Sequence, residues 1–190
     1  MQDETLRKQL DETIQVTQYL QTQLPKIREV ATMLIEALRA GHRILSVGNG
    51  GSGLDAQHLA SELVGHYRTD HKPLPAFALT SDGGILTAIA NDYDFESVFS
   101  RQVEALGTAG DVLVAFSTSG KSRNVLKALD TAGQRGLVRL GLAGHDGGQM
   151  QGRCDYDLFI PFTDTARIQE AHLMFIHLLS EYIDEAFAEA

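Results

Sequence analysis

Five short apolar runs, at 43–47, 76–79, 112–116, 138–142 and 158–160, recur along the chain with glycine- or serine-rich turns and helix-like stretches between them. Most of these runs lack strict polar alternation, which suits strands buried on both faces of a parallel sheet. The stretches at about 54–65, 84–91, 95–107 and 122–135 separate the runs, and another at 166–187 follows the last one. Strands alternating with helices predict an α/β fold: a doubly wound, mainly parallel five-stranded sheet flanked by helices. Ahead of it, residues 4–24 read as a polar amphipathic helix with Leu6, Leu10, Ile14, Thr17, Leu20 and Leu24 on one narrow face. Pro25 opens a second helix that Gly41 stops. With 190 residues there is enough chain for one well-buried core, so a single domain is expected, with residues 1–40 as an added helical hairpin and 41–190 as the α/β core and last helix.

The charge balance narrows the partners. A net charge of −9 argues against direct binding of nucleic acid, whose phosphate backbone needs clustered Lys and Arg, yet it permits one local pocket for a small phosphate. Cys154 is the single cysteine, which rules out an intrachain disulfide and points to a reducing compartment; in its turn-like stretch it reads as an inert thiol. The charged N-terminal stretch has no apolar signal core, and no run approaches the roughly 18 apolar residues of a membrane span. A cytoplasmic protein with no membrane partner is the expectation.

In open α/β sheets, ligands gather at the carboxyl ends of the strands. Two strand ends here carry small polar turns. The first, Gly48-Asn49-Gly50-Gly51-Ser52-Gly53, lets the backbone turn sharply and approach a ligand, and it opens a helix. Its spacing fits G-x-G-x-x-G, but the acidic residue of a dinucleotide site is poorly placed: Asp70 precedes the second strand and Asp82 lies farther on. A plain tight turn stays open beside a ligand turn. The second, Ser117-Thr118-Ser119-Gly120-Lys121-Ser122, gathers four hydroxyls at a helix start, a nest suited to a phosphate monoester. Simple N-capping would need only one of them. Two such turns on one sheet point to a small phosphorylated ligand.

Two helices add titratable groups. His58 and Glu62 are four apart and share a face, where they can share a metal or a proton or be a surface pair. The last helix carries His172 and His177 among Ile168, Leu173, Ile176, Leu179 and Ile183, with Met174 and Leu178 widening the apolar face, so it belongs in a core or an interface.

The segments SVGNGGSGLDAQHLASELVGHY, AIANDYDFESVFSRQVEALG, GDVLVAFSTSGKSRNV and ARIQEAHLMFIH, in this order, resemble the sugar isomerase (SIS) domain family, and within it the phosphoheptose isomerases. The resemblance covers essentially the whole chain and implies a flavodoxin-like sheet. It implies that Asn49, Gly50, Gly51, Asn91 and Asp92 contact the sugar chain, together with Glu62 and Gln169, and that Ser117, Thr118, Ser119 and Ser122 hold the phosphate. It also implies one zinc ion per site on His58, Glu62, Gln169 and His177, with Glu62 and His177 as the acid–base pair. Lys121 stands where the family usually has Asn, and Ala166 where some members have Asp; neither replaces a residue assigned to the site.

The implied reaction converts D-sedoheptulose 7-phosphate to D-glycero-D-manno-heptose 7-phosphate, a precursor of surface glycans, through an enediolate. Glu62 would take the carbon-bound proton and His177 would exchange protons at oxygen, while zinc could polarise the carbonyl. The rival reading is a non-catalytic scaffold of the same family, such as the relative that assists the bacterial replication initiator; a sugar-phosphate-sensing regulator would need a DNA-binding segment, and none is evident. Gln169 and His177 are eight residues apart, which on a straight helix separates them by roughly 80° and about 12 Å. Either the helix starts after Gln169 or the two serve sites built from different subunits. A homo-oligomer is expected, by resemblance a homotetramer with interface active sites.

Overall fold

A computed structural model describes residues 2–188. Five strands, β1 (Ile44–Val47), β2 (Ala76–Ala78), β3 (Val112–Ser117), β4 (Val138–Gly144) and β5 (Tyr156–Ile160), pair in parallel in the order β2-β1-β3-β4-β5. Around the sheet lie α1 (Gln2–Thr22), α2 (Leu24–Arg39), α3 (Gly51–Val64), α4 (Gly83–Asp92), α5 (Ser100–Leu106), α6 (Arg123–Gln134) and α7 (Thr165–Phe187). The expected doubly wound parallel sheet with an N-terminal helical pair is what the chain forms.

Alternation along each strand sends successive side chains to opposite faces. Ile44, Val112, Val114 and Phe116 pack with α1, α2, α3 and α7 on one side. Leu45, Val47, Leu113 and Ala115 pack with α5 and α6 on the other. Because both faces are covered, every β3 residue is buried, and an uninterrupted apolar run is the sequence that such a strand requires.

The helix boundaries follow from local chemistry. Pro25 sits in the first turn of α2, and Gly41, at φ 84°, turns the chain out beyond its end. Asp164 caps α7, its carboxylate accepting from the N–H groups of Ala166 and Arg167. Two boundaries differ from the sequence reading. The helix expected at 54–65 begins at Gly51, because Gly50 turns at φ 56° and the glycine turn itself supplies the first helical residues. The helix expected over 95–107 splits: the Asp94 carboxylate accepts the Ser97 N–H and closes a 3₁₀ turn at Phe95–Ser97, and α5 restarts at Ser100. This break puts Val98, Phe99 and Val103 into the core.

Two apolar surfaces are left uncovered by the chain's own packing. Leu6, Leu10 and Ile14 on α1 are more than half exposed, and Leu173, on the apolar face read for α7, is 36% exposed. Helix α4, sequence GGILTAIAND, has no buried residue at all.

Candidate active site

In the strand order 2-1-3-4-5 the topology reverses between β1 and β3, where open α/β sheets place their ligand crevice. The glycine turn leaves β1 and the serine turn leaves β3, so both expected ligand turns flank that crevice. They are tied together. The Asn49 amide donates to Asn124 Oδ1 at 2.8 Å, and the Asn124 amide donates back to Asn49 Oδ1 at 2.9 Å. Asn124 is 3% exposed in the first turn of α6, so the link is rigid. Beside it, Gly48, Asn49, Gly50, Gln57, Thr80 and Phe95 help to line a cavity of about 230 Å³.

The serine turn does not spend its hydroxyls on capping. Ser122 is the N-cap residue of α6, yet its side chain makes no capping bond and is instead 3.1 Å from the Ser117 hydroxyl. Ser119 Oγ accepts only from the Lys121 N–H within the same turn. From behind, the loop after β4 braces this turn: the Gly144 N–H donates to Thr118 O and the Gln149 N–H to Gly120 O, at 3.0 and 2.9 Å. A braced turn with unspent hydroxyls at a helix start is an anion cradle in chemical character.

The titratable groups meet at the seam between α3 and α7. His58 Nε2 is 3.0 Å from His177 Nε2 and 3.2 Å from Glu62 Oε1. Burial, with the facing His58 and the nearby Arg68 guanidinium, lowers the His177 pKa, while Glu62 pulls it upward. The ring is thereby favoured as neutral imidazole, able to accept or donate a proton. Farther along the same seam His172 is buried against Phe116, and burial pushes its pKa down to about 3, so it is a structural neutral histidine. Asp55, 4.0 Å from it, is pushed up to about 6 by burial. Cys154 is likewise inert: burial raises its thiol to about 12.

Of the residues expected in the site, His58, Glu62 and His177 come together, Asn49, Gly50 and the serine turn frame the crevice, and Gln169 lies against Gly51 at the start of α3. Helix α7 is continuous from Thr165, so the possibility that it begins after Gln169 is excluded. Gln169 is not among the hydrogen-bond partners of the His58–Glu62–His177 group. Asn91 and Asp92 stand exposed at the end of α4, bonded to each other and outside the cavity lining. Sequence reading missed Asn124 and Tyr67, whose ring stacks on His177 at 5.1 Å between centroids. Neither carried a signal: Asn124 reads as one more polar residue after the serine turn, and Tyr67 stands in an aperiodic loop. Among the described residues, no group of three or more His, Cys, Asp or Glu is set in metal-holding geometry. The donor types are nevertheless those zinc takes, and the 3.0 and 3.2 Å separations lie within about 0.3 Å of the roughly 3.3 Å edge of a tetrahedral site with 2.0–2.1 Å bonds.

Comparison with known proteins decides the family. The SIS domain model matches residues 10–144. The chain belongs to the SIS domain family. Within this family it is 52% identical over 174 residues to phosphoheptose isomerase 1 of Campylobacter jejuni, covering 92% of each chain. It is 47% identical over 184 residues to the phosphoheptose isomerase of Geobacter metallireducens, covering 96% of this chain and 97% of the relative. The solved phosphoheptose isomerase of Neisseria gonorrhoeae superposes with a TM-score of 0.92 at 41% identity, covering 97% of this chain and all of that one. The Francisella tularensis enzyme gives 0.94 at 34% identity, covering 97% and 99%. The chain is an isomerase of this SIS branch.

Proposed function

We propose that this SIS isomerase converts D-sedoheptulose 7-phosphate to D-glycero-D-manno-heptose 7-phosphate in the cytoplasm, supplying heptose for surface glycans. The observation that carries the reading is the convergence of the Glu62 carboxylate and the His177 imidazole on His58, on a seam that starts beside the glycine turn. Ketose–aldose interconversion moves a proton between C1 and C2 and exchanges protons at the two oxygens. Glu62 takes the carbon-bound proton as general base and returns it to the neighbouring carbon. His177, kept as neutral imidazole, carries protons between the oxygens. The Ser117, Thr118, Ser119 and Ser122 hydroxyls and the N–H groups at the start of α6 hold the phosphate, and Asn49, Gly50 and Gly51 face the sugar chain, with Asn91 and Asp92 reaching it from exposed α4.

His58, Glu62 and His177 would hold one zinc ion, with Gln169 as a fourth donor. Bound there, zinc would act as a Lewis acid toward the carbonyl and the enediolate oxygens. Gln169 and His177 leave one regular helix at different heights and angles, which favours a site completed between copies. The exposed apolar faces of α1 and α4 supply surfaces for such packing, and a homotetramer is the proposed assembly.

Incubating the purified protein with sedoheptulose 7-phosphate and following aldose formation tests the reading. Glu62→Gln keeps the shape of the side chain and removes the base, so turnover is expected to fall by about 10²–10⁴-fold with the fold intact. No turnover by the zinc-loaded wild type would point instead to the non-catalytic scaffold of the same family.

A further inference from the structure

A histidine side chain does not fix its own ring plane, because rotation about its second torsion is broad and roughly two-fold. At His177 the ring plane matters, since it decides whether Nε2 faces His58 and Glu62. The loop that follows α3, residues 65–75, supplies what the side chain lacks. Tyr67 lies almost flat on the His177 imidazole, with 16° between the ring planes. On Tyr67, in turn, sits the Arg68 guanidinium, 5.0 Å from the ring centroid, and this cation pairs with Glu181 at 3.2 Å.

The loop is not held by these rings alone. The Asp184 side chain is 2% exposed and accepts from three consecutive backbone N–H groups, those of Tyr67 at 3.4 Å, Arg68 at 2.6 Å and Thr69 at 2.8 Å. His71 Nε2 faces the same carboxylate at 3.3 Å. Successive amides that converge in this way form an anion-binding nest, here filled from within the chain. His177, Glu181 and Asp184 are spaced i, i+4 and i+7, so they project from one face of α7. The helix that carries the imidazole therefore also carries the anchor for the segment that packs on it.

We propose that Asp184 and Tyr67 are positioning residues for the isomerisation: Asp184 fixes the 67–69 backbone, and the Tyr67 ring then acts as a wall that holds the His177 imidazole with Nε2 toward His58 and Glu62. This rests on His177 being the proton carrier of the proposed reaction. Neither residue needs to touch substrate. The Tyr67 hydroxyl has no part in it, and the flat face of the ring is the working element.

The test uses the full-length protein with Tyr67→Phe, Tyr67→Ala, Asp184→Asn and the Tyr67→Ala/Asp184→Asn double variant. Two readouts are taken: steady-state kinetics on sedoheptulose 7-phosphate, and the His177 ring signals in protein labelled at histidine. Tyr67→Phe keeps the wall and should retain kcat within about twofold, whereas Tyr67→Ala should lower kcat by roughly 10–100-fold with KM little changed, the scale of an ångström-sized misplacement. Asp184→Asn should lower kcat in the same sense, and the double variant should be no worse than Tyr67→Ala, because both act through one ring. In the spectra, the upfield ring-current shift of the His177 protons should vanish in Tyr67→Ala and move in Asp184→Asn. If Asp184→Asn does not fold, Asp184→Glu, which displaces the carboxylate by one methylene, takes the same two measurements. Multiplying losses in the double variant, Tyr67→Phe as damaged as Tyr67→Ala, or a His177 signal indifferent to residue 184 would each overturn the proposal. An inactive wild type would refute the assigned reaction, while the spectra would still decide whether the wall exists.

Discussion

Replacing Gly51 with Ala separates stability from activity in a way the structure lets one calculate. Gly51 does not have a positive φ, so its backbone accepts an L side chain without strain. A Cβ built there would lie 2.7 Å from Cδ and 2.8 Å from Oε1 of Gln169, and closer still to Nε2. Ordinary contact begins near 3.4 Å, so the amide has to retreat by roughly 1 Å, a displacement that can cost about 10²-fold in rate when it occurs at a catalytic constellation. The backbone term runs the other way: Gly→Ala at a compatible site stabilises by about 0.4–1 kcal/mol through the unfolded chain. Gln169 is the flexible far end of a long side chain, so the steric cost to folding is small. The expected variant has a melting temperature within about 4 °C of wild type, the shift that 1 kcal/mol gives a chain of this size, and kcat/KM reduced by roughly 10–100-fold. Scanning calorimetry beside an aldose-forming assay reads both. Wild-type kcat/KM with an unchanged melting temperature would show that the Gln169 amide has no part in the reaction and that Gly51 is only a turn residue.

Ser117→Ala, Ser119→Ala and Ser122→Ala should each raise KM more than they lower kcat, and should weaken competition by inorganic phosphate in parallel; unchanged KM in all three would remove the phosphate from this turn. Asp184 gives a pH signature. Burial alone would raise its pKa, but the three backbone N–H groups and His71 outweigh burial and hold it below the ordinary range. Its contribution is thus complete above the unfolded value of about 4 and is lost as pH falls through the lower folded value. Asp184→Asn should destabilise by about 1–3 kcal/mol at pH 7 in urea titrations. The gap from wild type should narrow below about pH 4; a gap independent of pH would contradict the charge-based account.

The architecture was legible because burial on both faces leaves a plain mark: 112–116 is apolar at every position, and β3 occupies it with one further residue. His58 and Glu62 could be paired from spacing alone, since i and i+4 on one helix must be neighbours. What crosses between elements could not. Asn49 and Asn124 are 75 positions apart, and nothing in either neighbourhood announces a reciprocal amide pair. Asp184 reads in sequence as one more acidic residue near the end of a helix, because its role depends on backbone N–H groups, which have no sequence signature. The 95–107 stretch misled for a local reason, a single carboxylate at Asp94 capturing the chain for one tight turn. Leu173 shares the apolar face read for α7 with Ile168, Ile176, Leu179 and Ile183, yet those four are buried and it is 36% exposed, because which flank of an apolar helix the core covers is set by the neighbouring elements.

Helix α4 carries a kinetic consequence. Its ten residues include the apolar Ile85, Leu86, Ala88, Ile89 and Ala90, and only Leu86, Ile89 and Ala90 rest partly against the core. A helix this short does not hold by itself in water, where about 12–15 residues are marginal even for good helix formers. In the proposed homotetramer its permanence would depend on encounters between chains, and a quantity that depends on encounters depends on concentration. A newly made chain can complete the sheet and the α3–α7 seam alone, in first-order steps. In that assembly the 83–92 segment would be the second-order step, so the last part of the molecule to become protected from proteases would be set by how many copies the cell has already made.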